Sequence, residues 1–156
     1  MYLRICSNSR LIGSSTAPPP GVTLRLLASD VPDQGIRHWA VRALAAVPPD
    51  TLLHYIPQAL ETINFDLYLD YSGIASLLLQ RASSSMRFAN ALFWHLNTAV
   101  RTSCTECYSA QSSFDTIIWR CRRFLIIKSA LMHLASPRLR TIWMKQEEAI
   151  EKLSIA

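Results

Sequence analysis

Apolar residues recur at every third or fourth position along most of the chain from Ile36 onward, the spacing of one face of an α-helix. Ile36, Trp39, Ala40, Ala43, Leu44 and Val47 form the first such stripe. Asp30 or Asp33 can cap its start, and Pro32 suits a first-turn position. Pro48-Pro49 closes it, because a residue before proline is pushed away from helical dihedrals. Asp50 caps a second helix with Leu52, Leu53, Ile56, Leu60 and Ile63 inward. Pro57 lies inside that pattern and is expected to kink it by removing one backbone donor. After a bend over residues 64–70, Ser72 caps a third helix with Ile74, Leu77 and Leu78 inward, and the serines at 83–85 break it. Met86 to Val100 forms a fourth, with Phe88, Leu92 and Leu96 on one side and Ala89 and Phe93 beside them. Residues 101–113 read as a polar loop. A fifth helix, from about Asp115 to Ala135, carries Ile118, Cys121, Leu125 and Met132. The sixth is capped by Ser136 with Pro137 in its first turn, and Leu139, Ile142, Trp143, Ile150 and Leu153 are its expected buried stripe. No segment gives a convincing strand, and 4 glycines are few for the turns of a sheet.

The helices also pair. Arg42-Ala43 ends one helix about 13 residues before Tyr55, and Arg81-Ala82 ends another about 13 residues before Trp94. The offset between the two units is 39 residues, close to the period of helical-hairpin solenoids. The expected fold is therefore all-α, a HEAT/armadillo-like right-handed solenoid of antiparallel helix pairs. Each helix buries its apolar stripe by stacking on a neighbour. Residues 1–21, with their SNSR, GSS and APPPG stretches, read as a flexible lead-in. The helical domain is expected over 22–156, opened by the short apolar anchor Leu24, Leu26 and Leu27.

Composition agrees with a packed helical chain. Half of the 156 residues are hydrophobic and 17% are charged, which excludes the low-hydrophobicity regime of disorder. No uninterrupted apolar run approaches the roughly 20 residues of a membrane span, and the residues after Arg4 are too polar for a secretory leader. Cys6, Cys104, Cys107 and Cys121 are then expected as free thiols in a reducing, cytoplasmic setting. The net charge is +5, and residues 101–156 hold 9 Lys+Arg against 5 Asp+Glu, so +4 of it lies there. Arg120, Arg122, Arg123 and Lys128 are the candidate contact with an anionic surface, against the simpler reading of a solvated helix face.

Candidate chemistry is sparse. Cys104-x-x-Cys107 has no second Cys pair or spaced His pair to complete a zinc site, and no strand-helix context for redox work. No nucleophile elbow, phosphate-cradling glycine loop or kinase catalytic loop occurs. Glu61, Asp66 and Asp70 read as caps and exposed charges. Trp39, Trp94, Trp119 and Trp143 fall within helices, where packing explains them better than base stacking. Arg37, Arg42, Arg81 and Arg87 read as cations that offset helix dipoles. No catalytic, cofactor-binding or metal-binding residue is expected, and no nucleic-acid partner.

Three ordered pieces resemble a known family. Pro32-Asp33, Ile36-Arg37, Ala40-Val41 and Leu44 resemble a PD-x-x-VR-x-x-AV-x-x-L opening. Leu52-Leu53, Tyr55, Pro57-Gln58 and Leu60 resemble an LL-x-Y-x-PQ-x-x-x-L helix. Leu78-Leu79, Arg81-Ala82 and Phe93-Trp94-x-Leu96 resemble FLL-x-RA followed by FFW-x-L. Together they resemble the helical accessory (PIK) domain of phosphoinositide 3-kinases, well over residues 18–100 and loosely over 115–153. Tyr68-Leu69-Asp70 and the PPP-x-x-x-LRLL lead-in look most like the class II, C2-domain-containing members, whereas Phe88-Ala89-Asn90 is closer to the class III pattern. The QALKYE stretch of the family is replaced here by Glu61 to Asp66, and 101–114 reads like an insertion. The resemblance implies a non-catalytic scaffold between a lipid-binding C2 module and the kinase lobes, peripheral to an anionic membrane and open to a protein regulator. The kinase domain itself is expected to be absent from this chain. Trp39, Val41, Leu53, Pro57, Leu78, Phe93 and Trp94 are its expected structural core. The alternative is a free-standing helical-repeat interaction module.

Overall fold

The structure is a computed structural model that describes residues 18–66, 68–109 and 114–155, with side chains over 18–66, 68–103 and 118–153. The described residues hold eight helices and no strand: α1 (Pro20–Arg25), α2 (Gln34–Ala45), α3 (Pro49–Leu53), α4 (Ile56–Ile63), α5 (Ile74–Ser84), α6 (Met86–Ser109), α7 (Phe114–Leu134) and α8 (Pro137–Ile155). The fold is all-α. No helix among the described residues is long and apolar enough to cross a membrane. The chain divides into two compact units between Leu77 and Leu78, inside α5.

In the first unit α1 packs on α2 and α4. Its Leu24 and the following Leu27 are buried. Asp33 caps α2, its carboxylate accepting from the Ile36 N–H at 3.0 Å. Ala40 and Leu44 are fully enclosed. The single kinked helix expected over 50–63 is two helices, α3 and α4, separated at His54 and Tyr55. Pro57 sits in the first turn of α4. A first-turn N–H has no intrahelical acceptor, so proline loses nothing there and starts a helix instead of bending one. Ile56, Ala59, Leu60 and Ile63 complete the core of this unit.

The turn into α5 also differs from expectation. Asp70 and Gly73 both have positive φ, 63° and 85°. Asp70 Oδ1 accepts from the Ser76 N–H at 3.1 Å, so Asp70 satisfies a free donor of the first turn. The Ser72 hydroxyl, the expected cap, donates instead to Asp66 and reaches the Ile74 N–H only at 3.4 Å.

In the second unit α5 and α6 are separated by Ser85 alone, whose Oγ accepts from the Phe88 N–H at 3.3 Å. Helix α6 runs to Ser109, through much of the stretch expected as a loop; residues 110–113 lie outside the described residues. Polar side chains did not end it, because Arg101 and Thr102 are exposed while Ser103 is buried. Helices α6 and α7 share the most extensive contact of the unit. The buried face of α7 is Phe124, Ile127 and Leu131, not the expected line through Leu125, which is 47% exposed. Among the described side chains of α8 only Trp143 is fully buried; Ile142, Ile150 and Leu153 are exposed.

Candidate functional site

Among the described residues no three His, Cys, Asp or Glu side chains gather as metal ligands would. The side chains of Cys104 and Cys107, and all of Cys6, lie outside the described residues; Cys121 is half-buried. Two ties of polar side chains, one in each unit, each hold several segments together.

The first is built on Arg37, which shares the helical face of Ala40 and Leu44 and is therefore carried into the core of the first unit. Only 3% of it is exposed. Its Nη1 donates to the carbonyls of Ala28 at 3.1 Å and Val31 at 3.3 Å. Its Nη2 donates to Asp66 Oδ1 at 2.5 Å. The other Asp66 oxygen accepts from the Ser72 N–H at 3.2 Å and the Ser72 hydroxyl at 2.8 Å. A buried charge is tolerated only when it is paired and its remaining hydrogen-bonding capacity is used. Both terminal nitrogens and both carboxylate oxygens meet that condition. One ion pair thus fixes the α1–α2 link, α2 and the 66–72 turn together. The Tyr71 hydroxyl donates to Gln34 Oε1 at 3.0 Å and ties the same turn to the start of α2.

The second tie is in the second unit. Lys128 Nζ donates to Asn97 Oδ1 at 2.7 Å and Glu147 Oε1 at 2.6 Å, and lies 5.2 Å from the centroid of the Phe93 ring. It joins α6, α7 and α8. Phe93 stacks on Trp143 with centroids 4.4 Å apart and planes at 4°, and Trp143 Nε1 donates to Asn90 Oδ1 at 2.9 Å. Trp94 meets the edge of Phe93 at 5.3 Å. Such arrangements bury large aromatic area while giving the indole N–H a partner.

Of the residues singled out in the sequence, Leu78 and Phe93 are fully enclosed, Trp39, Val41, Leu53 and Trp94 are half-buried, and Pro57 is exposed. Arg122 is exposed, Arg120 and Arg123 are half-buried, and Lys128 is turned onto its tie. Arg37 is not a helix-end cation, nor Asp66 an exposed charge. The sequence carried a cue to the first: Arg37, Ala40 and Leu44 stand three and four residues apart, so the arginine interrupts an apolar face. It carried no cue to the partner, 29 residues on.

The model of the family described as "Phosphoinositide 3-kinase family, accessory domain (PIK domain)" matches residues 16–135, which is 120 of the 156. The chain belongs to that family of accessory domains. Within this PIK domain the resemblance of the opening segment has a physical content: Asp33 is a helix cap, Arg37 half of a buried tie, and Ala40 and Leu44 core. The PIK domain is similar to the phosphatidylinositol 3-kinase C2 domain-containing subunit gamma of Homo sapiens, 39% identical over 84 residues, 54% of this chain and 6% of that protein. It is similar to the phosphatidylinositol 4-phosphate 3-kinase C2 domain-containing subunit alpha of Pongo abelii, 28% identical over 152 residues, 97% of this chain and 8% of that protein. It is also similar to the corresponding beta subunit of Homo sapiens, 35% identical over 80 residues, 51% of this chain and 5% of that protein. The chain thus spans less than a tenth of the length of these relatives. No solved structure matches it significantly.

Proposed function

We propose that this chain is the non-catalytic helical scaffold of a phosphoinositide 3-kinase of the C2-domain-containing kind. Residues 22–156 act as a solenoid of antiparallel helix pairs that positions lipid-binding and kinase modules. The observation that carries the reading is the alignment of 97% of the chain with a relative named for both its kinase activity and its C2 domain. The internal chemistry supports it: among the described residues the charged side chains that are buried, Arg37 and Asp66, are used up in holding backbone segments. A rigid spacer needs such ties, and a reaction centre would need reactive groups left accessible. On this reading the protein works in the cytoplasm, peripheral to membranes, and Arg122 on α7 is its contact with anionic lipid.

The test is a domain exchange. Residues 22–153 replace the matching segment of the alpha relative of Pongo abelii, and lipid phosphorylation is measured in the chimaera. Retained activity is expected, together with its loss when Asp66→Ala is added. A chimaera that folds but is inactive, without that substitution, would overturn the reading. A monomeric chain that binds no kinase or C2 module in trans would further favour the free-standing alternative.

A further inference from the structure

We draw no further inference here: the strongest candidate, the exposed apolar side chains Phe65, Tyr68 and Leu69 in the turn between α4 and α5, which follow a side-chain amide at Asn64 that is buried without a hydrogen-bond partner, carries nothing because nothing in the structure shows what covers it.

Discussion

Arg37 and Asp66, 29 residues apart in the chain, close a buried ion pair whose side chains are 4% and 0% exposed. Surface ion pairs contribute little, because water screens them and ordering two long side chains costs entropy. A buried pair is different: its attraction is largely offset by the desolvation of both charges, so its net contribution is small and its removal by halves is not. What it adds here is geometry. The same guanidinium holds Ala28 and Val31, and the same carboxylate holds Ser72.

Asp66→Ala is therefore expected to cost about 3–5 kcal/mol, because it leaves a guanidinium enclosed without its counter-charge. Urea denaturation measures it, with amide exchange of α2 reporting whether the loss is local to the first unit. Arg37→Met combined with Asp66→Leu is expected to cost less than the sum of the two single changes, since no orphan charge remains. Additive losses would show that the two side chains are not coupled.

The aromatic stack of the second unit gives a graded expectation. Phe93 and Trp143 are fully enclosed, whereas Trp94 is half-buried. Phe93→Ala and Trp143→Ala are each expected to cost about 3–5 kcal/mol through the cavity they leave. Trp94→Ala is expected to cost about half as much, in proportion to the area it hides. Trp143→Phe keeps most of the packing and removes the bond to Asn90, so a loss of about 1 kcal/mol is expected. Denaturant midpoints that failed to fall in this order would contradict the stack as the centre of the unit.

The all-α class was legible because stripes at three- and four-residue spacing dominate the chain, and the caps at Asp33 and Ser136 mark helix starts in local sequence. What periodicity could not fix was which face of a helix with apolar residues on several sides turns inward. In α7, Trp119, Leu125 and Ile126 are as hydrophobic as Phe124, Ile127 and Leu131, and only packing decides that the first three are exposed. Proline at 57 was ambiguous for a related reason. It breaks a helix or begins one according to where the preceding turn ends, and that was set by His54 and Tyr55 outside any stripe. The long-range ties, Arg37 to Asp66 and Lys128 to Asn97 and Glu147, join residues 19 to 31 positions apart, a distance at which no local rule operates.

Gly73 tests the turn into α5. Its φ of 85° is a region that residues with a Cβ enter at a cost. An added Cβ would sit 3.8 Å from Val41 Cγ1, an ordinary contact, so the cost is in the backbone alone. Gly73→Ala is expected to lose about 1–2 kcal/mol. Gly73→Asn is expected to lose less, because asparagine enters the left-handed region more readily. Equal losses for alanine and asparagine would point to the side chain instead of the dihedral.

Lys128 is a cation held by the fold. Its ammonium has three donors. Two are engaged by Asn97 and Glu147, and the charge lies over the Phe93 ring, with the ion pair 20% and 27% exposed at its two side chains. To reach a lipid phosphate it would have to leave all three. Arg122 is exposed on the same helix. Lys128→Met is therefore expected to cost about 1.5–3 kcal/mol, the range for a hydrogen bond to a charged group, and to leave binding to phosphatidylserine-containing vesicles unchanged. Arg122→Glu is expected to do the opposite, weakening vesicle binding with the denaturation midpoint unmoved, and more so at low salt than at high. Loss of vesicle binding in Lys128→Met at constant stability would mean that the ammonium leaves its tie for the surface, and would return Lys128 to the anionic contact.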